Sequence, residues 1–573
     1  MRWNILDGAP EALRHALPHL GSAVVDAAYH RGQTTAESVG HFLKPDYERD
    51  SHDPFLFADM DRAVVRLYTA LEKREPILIH GDYDADGICA TAILASLFRV
   101  LGGKVYTFLP TRTADGYGVS MRAVEQAASS RVGVLITADC GIAAHEALEC
   151  AREAGIDVII VDHHHVPVQL PKAFAILHPL VSSQYPDRTL TGGGVAFKLA
   201  QGMIRSQNAA ARVYREKHTP SMGWEAFEKW LLDLAAISTI ADCAALTGES
   251  RMIVSFGLRV LQKTLRPGLK ALYENAKIAE RPITEETIKF AIAPRINAAG
   301  RLRDAKLSLA LLLAEDAVAS GPLAAEVEQI NILRQQLTQA ALKEINADVG
   351  ENPKPLVLTY RPDWHVGLIS LLASRITHQL SRPSFVLCRN NGDVVGSTRG
   401  VGAFDCVAFL ETARPLLKRF GGHTHAAGFT LAPEQLDAFR ALVEAHGTTA
   451  GEPEPEELSL DGQMALADIT QELVASLAQF APFGMGNHEP VFASSNVKLV
   501  GARRVGNGGT HLQSTLFDPE SRVQVRSVGF GMGARMDGLV GKPVDVAYHL
   551  RQDTWNGQKR VQAVIVDMKV NQS

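Results

Sequence analysis

The chain has 573 residues, of which 46% are hydrophobic and 21% are charged, and its formal net charge is −5 at pH 7. This length indicates about three to five domains, and the composition is that of a globular protein with several apolar cores. The six cysteines form no CxxC pair, which excludes the spacing of a zinc knuckle or of a dithiol redox site.

A parallel sheet is predicted between residues 76 and 162, after an N-terminal stretch of mixed helix and loop. Short apolar runs alternate there with amphipathic helical segments, which is the arrangement of βαβ units. The fold class is therefore α/β. The apolar runs that we interpret as strands lie at residues 77–79, 105–109, 134–137 and 158–161.

Helical periodicity dominates from residue 192 to about residue 350. Apolar residues recur at helical spacing between Leu323 and Val349, and this stretch contains neither Pro nor Gly. At roughly 1.5 Å per residue such a helix is about 40 Å long, which is enough to bridge two domains. An ordinary core helix fits the same pattern.

A second α/β unit is predicted after Pro353 and Pro355, followed by an acidic, proline-rich linker at 448–457. From about residue 490, short alternating strands separated by glycine turns predict a small β-barrel. From Ser494 onward there are eleven Lys and Arg residues against six Asp and Glu residues. This local positive charge fits a nucleic-acid surface or an ordinary solvated surface equally well.

These patterns divide the chain into six predicted segments. In chain order they are an N-terminal mixed segment, a first α/β domain, a helical connector, a second α/β domain, a linker and a barrel. Their predicted bounds are 1–70, 71–250, 251–350, 351–447, 448–457 and 458–573.

Neither a secretory signal nor a membrane span is indicated by the sequence. The first twenty residues carry charged side chains and lack the apolar core of a signal peptide. The longest apolar run, near residues 88–98, has about half the length of a membrane span. We therefore predict a soluble cytoplasmic protein.

Carboxylates and histidines follow three of the four predicted strands. The first strand leads into the stretch 80–87 (HGDYDADG), the third into Asp139, and the fourth into the stretch 162–165 (DHHH). Because ligands of open α/β sheets bind outside the carboxyl ends of the strands, these side chains are expected to converge. Singly, Asp84 or Asp86 could cap a helix, Asp139 could belong to a turn, and a histidine could lie at the surface. Three coincidences at successive strand ends favour a shared site.

Several carboxylates in one crevice repel one another unless some are protonated or a cation binds between them. Oxygen and imidazole ligands without a thiolate suit Mn²⁺ or Mg²⁺. Five or more ligands exceed the needs of one catalytic ion with open positions, whereas two bridged ions use them all. Two-ion sites of this kind serve in-line displacement at phosphorus.

The spacing of these residues resembles the motifs of the DHH phosphoesterase superfamily. The matching residues are His80, Asp84, Asp86, Asp139, the triplet Asp162-His163-His164 and a later Asp242. Further segments resemble the RecJ family within this superfamily, from about residue 50 to about residue 570. They are PRINAAGR at 294–301, DWHVG at 363–367, ASR at 373–375, GGHTHAAG at 421–428 and PFGMGNHEP at 482–490.

The resemblance implies a role for each residue of the motifs. One metal ion would be bound by His80 and Asp84, the other by Asp86, His163 and Asp242, with Asp139 between the two. Asp82 is a further candidate ligand, Asp162 would orient the neighbouring imidazole, and His164 would contact the scissile phosphate. For DNA, the resemblance implies 5′-end recognition by Arg112, Ser397 and Arg399. It also implies contact of Arg295 or Arg301 with the neighbouring backbone, and a position across the cleft for His423.

The fold implied by the resemblance is a parallel-sheet DHH domain, a DHH-associated α/β domain joined to it by a long helix, and a C-terminal OB-type barrel. The implied activity is 5′→3′ exonucleolytic hydrolysis of single-stranded DNA to mononucleotides with two Mn²⁺ or Mg²⁺ ions, in recombination and repair. A single-strand-binding protein and a helicase are the implied protein partners. One alternative is a phosphatase or small-nucleotide phosphodiesterase of the same superfamily, which predicts a shorter chain without a barrel. The other is a non-catalytic DNA-binding scaffold, which predicts missing metal ligands.

Overall fold

The computed structural model of the chain describes residues 2–111, 115, 118–350, 352–449, 457–555 and 558–571. These residues form two compact units. The first consists of Met1–Ser51, Ala245–Ser255 and Pro455–Ser573, and the second of His52–Ala244 and Phe256–Glu454. In the described part of the chain, no helix combines the length and hydropathy required to cross a membrane.

The N-terminal part of the first unit is one short strand followed by four helices. The third helix starts in a capping box, in which the Thr35 hydroxyl accepts a hydrogen bond from the Ser38 N–H and the Ser38 hydroxyl accepts one from the Thr35 N–H. The elements are β1 (Arg2–Ile5), α1 (Glu11–Ala16), α2 (Ser22–His30), α3 (Ala36–Leu43) and α4 (Tyr47–Asp50).

The second unit contains the predicted parallel sheet, with strand order β3-β2-β4-β5-β6. All four predicted strands are present, and a fifth strand, β6, was not predicted. The strands are β2 (Ile77–His80), β3 (Val105–Phe108), β4 (Val134–Ala138), β5 (Asp157–Val161) and β6 (Ala175–Leu177). The helices around them are α5 (Met60–Glu72), α6 (Ala85–Val100), α7 (Met121–Ser129) and α8 (His145–Glu153).

The sheet is covered on both faces, which explains its continuous apolar strands. All residues of β2 and β4 are buried, as expected for parallel strands between two helical layers. The strands next in the chain after β2 are added on opposite sides of it, with β3 on one side and β4 on the other. The strand order therefore changes direction at β2. Such a switch point opens a crevice at the carboxyl ends of the strands.

A run of helices from residue 192 to residue 349 lies between the two α/β parts in the sequence, and residues 245–255 of this run belong to the first unit. The helices are α9 (Gly192–Arg205), α10 (Ala209–Lys217), α11 (Trp224–Trp230), α12 (Leu232–Ala241), α13 (Gly248–Gln262), α14 (Pro267–Asn275), α15 (Glu285–Thr287), α16 (Ala293–Leu302), α17 (Lys306–Leu312) and α18 (Ala317–Val349). A π-helical turn at Ile288–Ile292 lies between α15 and α16.

Helix α18 is the predicted long helix, and it begins six residues before the predicted start. The Asp316 side chain caps it by accepting a hydrogen bond from the Ala319 N–H, and Pro322 lies in its second turn. Its 33 residues correspond to a length of about 50 Å. It packs on α14, α16 and α17 and also contacts the second α/β part.

The second α/β part is a five-stranded mixed sheet with order β10-β11-β9-β8-β7. Only the β7–β8 pair is parallel; the other pairs are antiparallel. Its elements are β7 (Val357–Tyr360), α19 (Ile369–Leu380), β8 (Ser384–Asn390), β9 (Asp393–Arg399), α20 (Cys406–Thr412), β10 (Leu417–His423), β11 (Ala426–Leu431) and α21 (Leu436–Thr449).

The C-terminal part of the first unit is the predicted barrel. It closes in the order β14-β15-β16-β18-β17, because β17 also pairs with β14. Its elements are β12 (Glu457–Leu460), β13 (Gly462–Gln463), α22 (Gln471–Leu477), β14 (Phe492–Val505), β15 (His511–Phe517), β16 (Gln524–Gly529), α23 (Met536–Leu539), β17 (Val544–Trp555) and β18 (Gln558–Val570).

The N-terminal segment packs with this barrel. Strand β1 pairs in parallel with β12, and Val25 of α2 and Phe42 of α3 belong to the same apolar core as Leu516 and Tyr548 of the barrel. The first unit is therefore assembled from segments that lie far apart in the sequence.

Candidate metal centre

The carboxylates that follow β2 and β4 meet at the sheet edge. His80 is in register with Thr137, so Asp82 and Asp139 each lie two residues beyond the last pair. The structure brings potential ligand atoms within 4.8 Å of one another in three groups. They are Asp82, Asp84 and Asp139; Asp86, His163 and Asp242; and Asp139, His163 and His164.

Asp86 is fixed by the N-terminus of α9. Its two carboxylate oxygens accept hydrogen bonds from the backbone N–H groups of Gly192, at 2.9 Å, and Gly193, at 2.7 Å. The Ser238 hydroxyl donates a further bond to it at 2.5 Å. A Cβ at Gly193 would lie 2.4 Å from the Ser238 Oγ, so this close approach requires glycine.

Asp139 occupies a constrained position between the other carboxylates. Its φ is +64°, a conformation that costs energy for a non-glycine residue and that often marks functional sites. Burial, together with the charges of Asp86 and Asp84, raises the pKa of Asp139 well above its usual value. A bound cation would reverse this effect, because it stabilises the ionised carboxylate.

A carboxylate oxygen and an imidazole nitrogen, both buried, face one another in this crevice. The Asp139 Oδ1 lies 3.2 Å from the His163 Nε2, yet within the described residues neither atom has a hydrogen-bond partner of acceptable geometry. Buried polar atoms are rarely left in this state. A carboxylate oxygen and an imidazole nitrogen that both face one space fit a shared metal ion.

Asp242 lies directly after α12, where its Oδ2 is 3.8 Å from the His163 Nε2. Burial and the charges of Asp86 and Asp84 raise the pKa of Asp242 to about 8. Burial also lowers the pKa of His163. Each shift favours the uncharged form of its group until a cation is bound, and the neutral imidazole is the form that binds metals.

Asp162 holds the loop that carries the two histidines. Its Oδ1 accepts hydrogen bonds from the His163 N–H, at 2.7 Å, and the His164 N–H, at 3.1 Å, and it lies 2.8 Å from the His164 Nδ1. Burial opposes the charge of both groups, but their mutual interaction lowers the pKa of Asp162 to about 2 and raises that of His164 to about 9. His164 is therefore the imidazole that Asp162 orients directly.

His80, predicted as a metal ligand, does not belong to any of the three groups. Its Nε2 accepts a hydrogen bond from the Ser120 N–H at 3.0 Å, and its ring stacks on Phe108. Burial lowers the pKa of His80 to about 4. In the described residues, Asp82 takes the place beside Asp84 and Asp139 that the resemblance gave to His80.

The residues predicted to contact DNA lie in different places. The Arg399 Nη1 donates to the Ser397 Oγ at 3.0 Å on β9, and His423 is exposed at the end of β10. Arg301 donates to the Gly367 carbonyl at 3.2 Å. Arg295 is held in a two-pronged ion pair with Glu328. Arg112 lies outside the described residues.

Three contributors to the site were missed in the sequence. Gly192 and Gly193 follow Thr191 at the start of a helix, so the run TGGG was an available signal for an anion-binding helix N-terminus. Asn297 accepts a hydrogen bond from the Ala85 N–H at 2.9 Å and so connects the PRINAAGR segment with the first motif. No local pattern marks Ser238.

Comparisons with known proteins agree with this arrangement. Three family models match in chain order: the N-terminal domain of the DHH family over residues 76–239, the DHHA1 domain over 352–446, and the RecJ OB domain over 460–567. The single-stranded-DNA-specific exonuclease RecJ of Bacillus subtilis is 33% identical over 582 residues, which cover 100% of this chain and 71% of that protein.

The chain belongs to the RecJ family. RecJ of Thermus thermophilus is 32% identical over 99% of this chain and 79% of that protein. The crystal structure of Thermus thermophilus RecJ in complex with Mn²⁺ superposes with a TM-score of 0.83 and 30% identity, over 100% of this chain and 80% of that one. The predicted RecJ resemblance and the predicted fold class are thus confirmed.

Proposed function

We propose that this protein is a metal-dependent exonuclease that hydrolyses single-stranded DNA from the 5′ end to mononucleotides, in recombination and repair. The observation that carries the proposal is the pair of buried atoms, Asp139 Oδ1 and His163 Nε2, that face one another among four further carboxylates. Its RecJ relatives in Bacillus subtilis and Thermus thermophilus are named single-stranded-DNA-specific exonucleases.

Two divalent ions, Mn²⁺ or Mg²⁺, fit these ligands. Asp82, Asp84 and Asp139 would hold one ion, and Asp86, His163 and Asp242 the other, with Asp139 able to reach both groups. The His80 Nε2 is engaged by the Ser120 N–H, so the Nδ1, which lies 3.7 Å from the Cys140 Sγ, is the nitrogen with which His80 would act as a ligand. When bound, the ions would activate water and neutralise the charge that develops on the phosphate.

The side chains around the ions would position the substrate. Asp86 is held by the start of α9 and by Ser238, so its carboxylate needs little reorganisation when DNA arrives. His164 is oriented by Asp162 and is partly exposed. It can therefore donate a hydrogen bond to a phosphate oxygen beside the ions.

DNA contacts are proposed for both α/β parts of the second unit. Ser397 and Arg399 adjoin on β9 and would bind the terminal phosphate, with His423 and Arg112 contributing by resemblance. Arg295 and Arg301 are both proposed for the neighbouring backbone, and at Arg295 a DNA phosphate would compete with Glu328. Arg399→Ala should weaken DNA binding and reduce the salt dependence of log K by about one unit of slope. An unchanged slope would remove Arg399 from the DNA site.

We infer that the protein is located in the cytoplasm and that the chain has the six segments predicted from its sequence. We further infer functional cooperation with a single-strand-binding protein and a helicase. Pull-down of each partner with the full chain, in the presence of nuclease to remove bridging DNA, tests the last point.

The test of function uses a single-stranded oligonucleotide labelled at either the 5′ or the 3′ end. With Mn²⁺, the 5′ label should appear first, as a mononucleotide, and chelation should stop the reaction. Blunt duplex DNA should remain intact. Early release of the 3′ label would reverse the proposed direction. Hydrolysis of dinucleotides or pyrophosphate, with DNA left intact, would assign the site to a different substrate class.

A further inference from the structure

A groove runs along β7 in the second α/β part of the second unit. Its cavity of about 420 Å³ is lined by all four residues of the strand, Val357–Tyr360, and by the flanking helices α18 and α21. None of the described lining residues belongs to the metal centre or to the proposed DNA contacts. The groove is therefore a separate feature of the second unit, with β7 at its base.

Strand β7 is the edge of its sheet and, in the described chain, pairs only with β8. The Val357 N–H donates to the Pro383 carbonyl at 2.9 Å, on the β8 side. Because successive residues of a strand direct their backbone groups to opposite sides, Leu358 and Tyr360 present theirs to the groove. The Tyr360 carbonyl accepts a bond from the Arg361 side chain at 3.1 Å. The outward N–H groups of Leu358 and Tyr360 face no strand among the described residues, and such an edge is a template for a further strand.

One side chain of β7 is not explained by an edge that is merely shielded from solvent. Thr359 is only 5% exposed, and its Oγ1 has no hydrogen-bond partner among the described residues. Buried hydroxyls are rarely left in this state. Since Thr359 lines the cavity, a polar group bound there can supply the missing hydrogen bond.

The charges around the groove leave one cation without a carboxylate. Its ion pairs, both 2.7 Å long and both exposed, are Lys354 with Glu444 and Arg361 with Asp348. Arg440 also lines the groove, and its guanidinium lies 5.8 Å from the centre of the Tyr360 ring. Among the described residues, no carboxylate is within ion-pair distance of Arg440. A carboxylate that enters the groove therefore finds a counter-charge there.

Thr359 and Arg440 lie on opposite faces of the sheet. Val357 belongs to the apolar core of α18 and α19, and Leu358 packs on the core of α20 and α21. Thr359 shares the first face with Val357, whereas Arg440 lies over Tyr360 on the second. Side chains of an added strand alternate in the same way. A polar group for Thr359 and a carboxylate for Arg440 thus belong to successive residues of the occupant.

We propose that this groove binds an extended segment of a protein partner, which adds to β7 as a sixth strand. The segment carries an acidic residue beside Arg440 and, next to it, a hydroxyl or amide residue beside Thr359. The four residues of β7 span about 13 Å, which is enough for main-chain hydrogen bonds to a short segment. A second copy of the chain fits less well, because its own β7 lies at the base of the same groove.

The inference is tested with the full chain and a fluorescein-labelled octapeptide of sequence Lys-Val-Val-Asp-Ser-Val-Val-Lys, by fluorescence polarisation. The peptide should bind, and a version with Lys in place of Asp should bind less tightly. N-methylation of one set of alternate peptide amides should abolish binding, because those N–H groups pair with β7. N-methylation of the other set should have little effect, which is the signature of strand addition.

Arg440 is tested by reversal of its charge. Arg440→Glu should weaken binding of the Asp peptide by about 5-fold and should favour the Lys peptide instead. Arg419→Glu is the matched control, because Arg419 is exposed on β10, at the opposite edge of the sheet, and does not line the groove. Since Arg440 is exposed as well, both variants are expected to fold.

Thr359 is tested by removal of its hydroxyl. Thr359→Val should weaken binding of the Asp-Ser peptide by about 2-fold to 12-fold, the value of one hydrogen bond. A peptide with Ala in place of Ser should bind the wild-type protein and Thr359→Val equally. The Tm of the free protein should not fall in Thr359→Val, because the hydroxyl has no partner to lose. A merely structural threonine would lower the Tm and leave the Ser-to-Ala difference in place.

Several results would overturn the proposal. One is absence of binding up to about 1 mM for the octapeptide and for versions with the Asp-Ser pair moved along it. Others are equal effects of the two N-methylated sets, or equal behaviour of Arg440→Glu and Arg419→Glu. A dimer in analytical ultracentrifugation that Leu358→Pro abolishes would assign the groove to a second copy. Inhibition of Mn²⁺-dependent DNA hydrolysis by the peptide would place it on the DNA site. Peptide binding by a protein that does not hydrolyse DNA would refute the proposed function alone.

Discussion

Buried charge is handled in opposite ways in the two units. At the sheet edge of the second unit, Asp139 lies within 4.8 Å of the carboxylates of Asp82 and Asp84, and its buried Oδ1 has no hydrogen-bond partner among the described residues. In the first unit, Asp461 is buried too, but it accepts bonds from Arg31, at 2.8 Å, and from the Val491 N–H, at 3.0 Å. The His30 Nδ1 lies 3.0 Å from the same Asp461 oxygen that Arg31 contacts.

This difference in hydrogen bonding distinguishes a site that binds cations from a cluster that stabilises the fold. A carboxylate surrounded by donors holds distant segments together and needs no ligand. Carboxylates surrounded by one another destabilise the free protein and become favourable only when cations bind. Mutations at the two sites should therefore have opposite consequences, which the following changes test in order of expected effect.

Removing the central carboxylate should have the largest effect. Asp139→Ala should reduce DNA hydrolysis on the order of 10³-fold or more, because the group with Asp82 and Asp84 loses a ligand and the one carboxylate able to reach both groups is gone. The free protein should remain folded, since the loss of carboxylate repulsion opposes the strain of an Ala at a positive φ. Asp139→Asn is the companion variant, because Asn tolerates the positive φ better than Ala does. Near-normal hydrolysis by a folded Asp139→Ala protein, with the exposed Asp61→Ala as control, would show that the centre lies elsewhere.

Asp461→Ala should destabilise the first unit by about 3–5 kcal/mol, because it leaves His30 and Arg31 beside each other without a counter-charge. Urea denaturation measures the loss, and the exposed Glu520→Ala provides a matched control on the barrel. A loss equal to that of the control would mean that the cluster contributes nothing to stability.

Mn²⁺ should stabilise the wild-type protein against heat. At about 100 times its dissociation constant, a ligand that binds only the folded state adds about 2.7 kcal/mol. The shift in Tm should be smaller in Asp139→Ala, which lacks a ligand of the group with Asp82 and Asp84. It should be unchanged in Asp461→Ala, which leaves the metal centre intact. Scanning calorimetry with Mn²⁺ and with chelator checks this, and an equal shift in Asp139→Ala would contradict the ligand assignment.

The smallest effect should be a pH dependence of the first unit. The hydrogen bond to Asp461 raises the pKa of His30, against the opposing effect of burial and with help from the Asp7 carbonyl and Asp26. The imidazole of His30 has a pKa of about 6.5 in the unfolded chain, and protonated His30 stabilises the fold fully below that pH. This stabilisation is lost as the pH rises through the higher pKa that His30 has in the folded protein. In His30→Gln, the free energy of unfolding should depend less on pH above pH 6.5 than in the wild-type protein. The same pH dependence in both proteins would argue against the stabilising pair of His30 and Asp461.

The sheet and the convergence of carboxylates at its edge were predictable because both are local in sequence. The ends of the strands place Asp82, Asp84 and Asp139 at one edge of the sheet. The residues that start the adjoining helices and turns lie in the same short stretches of sequence. His80 shows the limit of this reasoning. It is the last residue of β2, so its side chain lies against Phe108 and the segment before α7 rather than with the loop carboxylates.

Contacts between distant segments were not predictable. The pairing of Arg295 with Glu328 joins two helices whose relative position no periodicity reveals. The same holds for Ser238, which reaches Asp86 from α12. The association of the N-terminal segment with the barrel is the extreme case, because a four-residue strand carries no signal for its partner.

That association has a consequence for biosynthesis. Arg2 pairs with Glu457, so the first strand leaves the ribosome long before its partner is translated. At about 5–20 residues per second, the interval is roughly 20 to 90 s. During this time β1 presents an unpaired edge, and α2 and α3 lack the barrel residues of their core. The N-terminal segment is therefore completed only after the barrel is made, and nascent chains arrested before Glu457 would present it to chaperones and proteases.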